Sequence, residues 1–170
     1  MHVLVELHAV NWHAAGLGEI GRPDGYMRRQ VDGWIERFVR ARTTELESVN
    51  ALSSWLRDNL PDSPPATMIH NDYKLNNVLL DTQDPRRLTA VLDWEMATVG
   101  DPLSDVASLL VYWTEPGDPD IMGGLRSVTA EPGFPTREDI VELYARWSGR
   151  EPPPSLSFQT YPLIEPLPRA

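Results

Sequence analysis

The sequence predicts an α+β domain that is mostly helical and carries one small β-element. Helical periodicity is strongest at residues 26–42, where apolar residues recur every three to four positions on one face. Between residues 68 and 92, three short apolar runs have the length and the flanking turn residues that are typical of strands. With 170 residues and 41% hydrophobic content, the chain is long enough for one domain with its own core.

The region before residue 42 contains one ambiguous segment, one loop and one clear helix. Residues 3–10 fit either a strand or a helix, and residues 11–25 form a glycine-rich loop. Gly16-x-Gly18-x-x-Gly21 has the letters of a dinucleotide-binding fingerprint. Because it neither follows a clear strand nor opens a helix, we interpret it as part of the loop. The apolar stripe of the helix at 26–42 is predicted to face the core rather than a ligand.

A second helix is predicted after Thr44-Glu45-Leu46-Glu47, which has the pattern of a capping box, and it should end at Pro61. The apolar runs that follow flank two polar segments, residues 70–77 and the residues that begin at Asp93. Polar loops between short strands are a common place for binding and catalytic groups, because the strands hold them rigidly.

The stretch at residues 70–77 is the most informative part of the chain. It contains His70-x-Asp72-x-Lys74-x-x-Asn77, and Asp93 follows in the next polar segment. This is the spacing of a phosphotransfer loop followed by a metal-binding aspartate. In such a site Asp72 accepts the proton of an attacking hydroxyl, Lys74 balances phosphoryl charge, and Asn77 and Asp93 hold Mg²⁺. His70 is grouped with Asn77 and Asp93 as a cofactor-binding residue, and the alternative for it is a purely structural histidine.

Later elements are marked by capping residues. Asp101 is a good N-cap with Pro102 at the first helical position, and that helix continues to Trp113. Residues 114–135 are a loop, Thr136 caps a last helix, and Gly149 ends it. Residues 151–170 contain six of the sixteen prolines and are predicted to be an atypical tail, separate from a domain at residues 1–150.

Residues 70–107 resemble the aminoglycoside phosphotransferase and choline kinase-like family, which shares the protein-kinase fold. Gly100-Asp101-Pro102-Leu103-Ser104-Asp105-Val106-Ala107 matches the family's Gly-Asp-Pro-x-x-Asp-Leu-Ala except at Val106. The sequence from Leu92 to Pro102 is especially similar to that of the kinase-like domain found fused to, or beside, acyl-CoA dehydrogenases. At the position of Asn71 the family usually has glycine. The resemblance also favours a helix at residues 3–10.

The resemblance implies a fold and residue roles. The chain would be the large C-terminal lobe of a kinase-like fold, without the small N-terminal lobe that covers ATP. Asp72 would be the catalytic base, Asn77 and Asp93 the metal ligands, and Glu95 a further group at the metal. Asp105 would bond backbone amides of the catalytic loop, with Asp101 as structural support.

The implied activity is transfer of the γ-phosphate of ATP, or GTP, to a hydroxyl of a small molecule, with Mg²⁺. Without a small lobe the chain should be weak or inactive, unless another segment supplies that lobe, and weak self-association is expected. The alternative is a catalytically silent binding or scaffold module, or a gene fragment of such a kinase. A metal-dependent phosphohydrolase would use similar ligands but does not explain the Gly-Asp-Pro-x-x-Asp stretch.

Composition excludes several other classes. The net charge of −10 and the lack of a basic patch argue against a nucleic-acid partner. There are no cysteines, so disulfides and thiolate metal sites are excluded, which suits a cytoplasmic protein. The apolar start at residues 1–5 is too short for a signal peptide, and no run reaches membrane-spanning length.

Overall fold

The computed structural model describes residues 1–118 and 128–150. The predicted tail at 151–170, and residues 119–127 of the predicted loop, lie outside the described residues. The fold is α+β, as predicted. The helices are α1 (His2–His8), α2 (Tyr26–Ala41), α3 (Glu47–Asp58), α4 (Pro102–Tyr112) and α5 (Arg137–Ser148), and the strands are β1 (Thr67–Ile69), β2 (Val78–Leu80), β3 (Leu88–Val91) and β4 (Thr98–Gly100).

The four strands form two antiparallel pairs. β1 pairs with β4, with Thr67 opposite Gly100, and β2 pairs with β3, with Val78 opposite Val91. The segment at residues 70–77 therefore connects the first pair to the second. The segment that begins at Asp93 connects the second pair back to the first. β4 was not predicted, because Thr98-Val99-Gly100 is too short and too mixed to show a period.

The core forms around α4. Eight of its eleven residues are buried, because α1, α2, β1 and α5 surround it. Leu4 from α1, Val31 from α2, Ile69 from β1 and Tyr144 from α5 are almost completely inaccessible. α4 therefore connects the helical part of the domain to the loop that follows β1.

The ambiguous segment at residues 3–10 is helical, as the resemblance favoured. The prediction of a capping box at residues 44–47 is wrong. The N-cap of α3 is Leu46, which has no capping side chain, and Glu45 instead forms an ion pair with Arg42. Thr44 lies two residues before the N-cap, so its hydroxyl is too early in the chain to bond the first turn. α3 also ends at Asp58, before Pro61.

The two predicted ends of α5 are confirmed. Thr136 accepts from the backbone N–H of Asp139, and the Asp139 carboxylate accepts from the backbone N–H of Thr136. Gly149 terminates the helix in the left-handed conformation that glycine adopts at low cost.

The glycine-rich loop at residues 11–25 packs against β4. It connects α1 to α2, so it does not join a strand to a helix. A Cβ at Gly21 would lie 2.3 Å from Thr98 Oγ1 and 2.7 Å from Val99 N. Thr98 also donates its hydroxyl to the carbonyl of Ile20. Gly21 is therefore explained by close packing, which agrees with the interpretation of this segment as a loop. Among the described helices, none is long and apolar enough to cross a bilayer.

Candidate active site

The loop between β1 and β2 brings three predicted site residues together. The ammonium group of Lys74 donates to both carboxylate oxygens of Asp72, at 2.6 and 2.8 Å. Asn77 Nδ2 donates to Asp72 Oδ2 at 2.7 Å and to the Asp72 backbone carbonyl at 2.8 Å. The Lys74 ammonium also lies 4.7 Å from the ring centre of Tyr112. Because these donors fix its orientation, the Asp72 carboxylate is held ready as an acceptor.

His70 lies beneath this cluster and is completely buried. Its Nε2 lies 2.8 Å from the carbonyl oxygen of Leu92, so Nε2 carries the proton and donates. Nδ1 then accepts from the backbone N–H of Asp72 at 3.3 Å. Both ring nitrogens are thus used within the protein, and these contacts give His70 a positioning role between the two polar segments. The cofactor-binding role of His70 stays a prediction.

The pairing of β2 with β3 brings the backbone at Asp93 close to Asn77. The backbone N–H of Leu92 donates to the carbonyl of Asn77 at 2.8 Å, which continues the β2–β3 pairing to the residue before Asp93. Asp93 has a φ of 66°, which costs a non-glycine residue about 1–3 kcal/mol, and strained residues of this kind cluster at functional sites. The side chains of Asp93 and Glu95 are exposed.

The chemistry of these residues fits Mg²⁺ that arrives with a nucleotide. The amide nitrogen of Asn77 is used on Asp72, which leaves its amide oxygen as the ligating atom, and Asp93 directly follows Leu92, whose N–H bonds the Asn77 carbonyl. Within residues 1–118 and 128–150, no three His, Cys, Asp or Glu side chains are grouped closely enough to hold a metal alone. Mg²⁺ is usually held by one or two protein oxygens together with phosphates and water, so two ligands suffice.

Asp105 ties the catalytic loop to α4. Its carboxylate accepts from the backbone N–H of His70 at 2.7 Å and from that of Asn71 at 2.5 Å, which are the contacts that the resemblance implied. It also contacts His8 Nε2 at 3.2 Å, and His8 Nδ1 lies 2.8 Å from the Tyr144 hydroxyl. Because a carboxylate only accepts, Nε2–H of His8 is a donor here.

The role of His8 was missed by sequence reasoning. It is buried and links Asp105 to Tyr144 on α5. Burial raises the pKa of the Tyr144 hydroxyl, so this group stays protonated at neutral pH. A lone histidine on a short helix gives no signal of such a contact, because its partners are 97 and 136 residues away.

Asp101 supports the junction between β4 and α4. It is buried, and its side chain accepts from the backbone N–H of Leu103 at 2.8 Å, with Pro102 in the first helical position. The predicted N-cap is confirmed. Through α4 this cap fixes the position of Asp105, and so of the loop that Asp105 holds.

A cavity of about 480 Å³ lies beside the catalytic loop, between α2 and the first half of α4. The apolar stripe of α2 was predicted to be core, which is confirmed for Met27 and Val31, whereas Trp34 is only partly buried and lines the cavity. Residues 114–118 of the predicted loop do not line it. The described lining residues are Tyr26, Met27, Gln30, Trp34, Arg37, Asn71, Met96, Thr98, Ser104 and Ser108.

Apolar side chains are also exposed around the catalytic loop, and one of them, Met96, borders the cavity as well. We call this set, from β2 and from the segment after β3, the apolar platform. Its members are between 41% and 52% exposed, which is unusual for neighbouring large apolar side chains on a single domain. They are Leu79, Leu80, Leu92, Trp94 and Met96.

Comparison with known proteins identifies the family to which the chain belongs. The model of the phosphotransferase enzyme family matches residues 1–139. The chain belongs to this family. Among similar curated proteins, acyl-CoA dehydrogenase family member 11 of Rattus norvegicus is 33% identical over 153 residues, and that of Homo sapiens is 35% identical over 152 residues. The matches cover 89% and 88% of this chain, but only 20% and 19% of the relatives.

Solved phosphotransferase structures give the same fold. A Ralstonia eutropha protein provisionally described as an aminoglycoside phosphotransferase has a TM-score of 0.79 and 28% identity, over 96% of this chain and 49% of that one. Macrolide 2'-phosphotransferase type I has a TM-score of 0.65 at 21% identity, over 96% of this chain and 48% of that one, which supports the fold alone. The predicted kinase-like fold and family are confirmed. The chain spans about half of these solved chains and about a fifth of the dehydrogenase relatives.

Proposed function

We propose that this chain carries the catalytic half of a kinase that transfers the γ-phosphate of ATP, or GTP, to a hydroxyl of a small molecule. The observation that carries the proposal is one connected cluster. Asp72 accepts hydrogen bonds from Lys74 and Asn77. The Asn77 carbonyl accepts from the backbone N–H of Leu92, which is the residue before Asp93. A base, a cation and two oxygen ligands are what phosphoryl transfer requires of the protein.

Each group has a distinct task in the proposed reaction. Asp72 takes the proton of the acceptor hydroxyl as its oxygen bonds to the γ-phosphorus, and the bond from that phosphorus to the β–γ bridging oxygen breaks. The products are a phosphate ester and the nucleoside diphosphate. Lys74 orients Asp72 and offsets the negative charge that is brought to the site. Asn77 and Asp93, with Glu95 nearby, would hold Mg²⁺, which neutralises the phosphate oxygens.

The acceptor is proposed to enter the cavity beside Asn71, the residue before Asp72. Its walls are formed by aromatic and methionine side chains, including Tyr26, Trp34 and Met96. Arg37, whose guanidinium lies over the Trp34 ring at 4.1 Å, is the single charged residue among the described lining residues. A cationic and partly apolar lining favours a neutral or anionic hydroxyl compound over a polycation.

The apolar platform explains why this chain alone should act weakly. In the kinase fold a second lobe covers the nucleotide with a glycine-rich loop and supplies a lysine to its phosphates. Residues 1–118 and 128–150 contain no such lobe, so ATP would lie on an open surface where water competes. We propose that an additional segment covers the platform, and that in its absence the chain associates weakly with itself. The second candidate function, a silent binding module, rests on this same exposure.

Both candidates are tested by one assay of nucleotide consumption. The 170-residue chain is compared with a version extended upstream by a nucleotide-binding lobe, and each is assayed with ATP or GTP. The acceptors are hydroxy acids, neutral polyols and an aminoglycoside. We expect transfer from the extended version with hydroxy acids or polyols, at least about ten-fold slower transfer from the short chain, and little transfer to the aminoglycoside.

Equal turnover by the two versions would show that the covering lobe is not needed. Preferential use of the aminoglycoside would contradict the proposed acceptor class. No transfer by either version, with nucleotide still bound, would favour the silent binding module.

A further inference from the structure

We infer that Asn71 is a positioning residue, whose side chain clamps the segment that carries Asp93 to the catalytic loop. The inference rests on the proposed function, since it assigns Asn71 the task of setting the spacing between Asp72 and Asp93.

The backbone alone does not require asparagine. Asn71 has a φ of 66°, in the region that glycine adopts most readily. Its N–H donates to Asp105, a bond that any non-proline residue would make. A glycine would therefore satisfy the chain conformation and the contact to α4 equally well.

The Asn71 side chain adds two hydrogen bonds, one as an acceptor and one as a donor. Its Oδ1 accepts from the Tyr26 hydroxyl on α2 at 2.7 Å, and its Nδ2 donates to the carbonyl of Met96 at 2.9 Å. An amide is suited to this position because it offers an acceptor and a donor at once. Aspartate would lack the donor for Met96.

Tyr26 is a rigid anchor for the first bond. Its ring is buried and lies against Gly100, where an added Cβ would come within 2.8 Å of the ring. Burial is the main cause that raises the pKa of Tyr26, to about 12, so the hydroxyl remains a donor at neutral pH.

The second hydrogen bond, to Met96, holds the segment that carries the predicted metal ligand Asp93. Met96 ends the short 3₁₀ helix Trp94–Met96 that begins directly after Asp93. The start of this segment is already fixed, because the Leu92 N–H donates to the Asn77 carbonyl. The Asn71 bond fixes its end, so the backbone around Asp93 is held on both sides against the loop that carries Asp72.

The test uses Asn71→Gly, which keeps the positive φ and removes only the side chain, and Tyr26→Phe as the matched control. Tyr26→Phe removes the bond to α2 and leaves the bond to Met96. Amide hydrogen exchange is followed by NMR at Ala97, whose N–H donates to Trp94, and at Leu92 as an internal reference. We expect Asn71→Gly to speed exchange at Ala97 about five-fold, the loss of one hydrogen bond, with Leu92 unchanged. Tyr26→Phe should leave both amides unchanged.

Mg·ATP is then titrated into the same proteins, with NMR shifts as the readout because weak binding remains measurable. We expect Asn71→Gly to weaken Mg·ATP binding by about three- to ten-fold, and metal-free ATP binding by less. As the control for binding, Asp32→Asn on α2, which removes only an exposed ion pair with Arg57, should stay within two-fold of the wild type.

Unchanged exchange at Ala97 in Asn71→Gly would overturn the clamp, as would an equal effect of Tyr26→Phe. Faster exchange with unchanged Mg·ATP binding would overturn the positioning role and leave the proposed function standing. If the wild-type chain binds no Mg·ATP, the proposed function fails, and exchange at Ala97 alone then decides the clamp. Asn71→Asp, which keeps the acceptor for Tyr26, gives a second exchange measurement and should match Asn71→Gly.

Discussion

Replacement of Asp72 by asparagine is expected to lower kcat for phosphoryl transfer by about 100-fold or more, while Mg·ATP binding stays nearly unchanged. The asparagine has the shape of Asp72 and keeps an oxygen near Lys74 and Asn77, but it cannot take a proton from the acceptor hydroxyl. The measurement is single-turnover transfer by the chain extended with a nucleotide-binding lobe, at saturating acceptor.

The matched control is Asp32→Asn on α2. Asp32 forms an ion pair with Arg57, both side chains are roughly half exposed, and neither lines the cavity beside the catalytic loop. Its loss should leave kcat within about two-fold, because an exposed pair contributes less than about 1 kcal/mol. A nearly normal kcat for Asp72→Asn would remove Asp72 from the role of base.

Replacement of Asp105 by alanine is expected to lower the free energy of unfolding by about 3 kcal/mol or more. The carboxylate is completely buried and is the acceptor for the backbone N–H groups of His70 and Asn71 and for His8. Each buried donor that loses its acceptor costs about 1–3 kcal/mol. Urea denaturation followed by tryptophan fluorescence measures the change.

Asp139→Ala is the control for the loss of a hydrogen-bonded aspartate at the surface. Asp139 completes the exposed capping box of α5, and a lost cap costs about 1 kcal/mol. A destabilisation by Asp105→Ala no larger than that of Asp139→Ala would show that the bonds from the catalytic loop to α4 contribute little to stability.

Much of the fold could be predicted because its signals are local. The period of α2, the caps Asp101 and Thr136, and the stop at Gly149 each depend on a few neighbouring residues. The capping box predicted at residues 44–47 failed although its letters fit, because the N-cap of α3 is Leu46 and Thr44 lies two residues before it. β4 escaped prediction because three residues cannot show a period.

The candidate site was predictable where spacing in the chain reflects spacing in the fold. The cluster of Asp72, Lys74 and Asn77 spans six residues, so its members meet in one loop. The network around His8 could not be predicted, because it joins three helices that meet only in the folded chain. Likewise, the burial of His70 between the two polar segments depends on the β2–β3 pairing, which sequence alone placed only approximately.

The most direct test of the central claim, that the two polar segments form one metal–nucleotide site, is an NMR titration of the 170-residue chain with ATP, with and without Mg²⁺. We expect the shifts to map to residues 72–80 and 92–96, to grow with Mg²⁺, and to lose their Mg²⁺ dependence in Asp93→Ala. Shifts confined to other parts of the chain, or an Mg²⁺ response that survives in Asp93→Ala, would contradict this account.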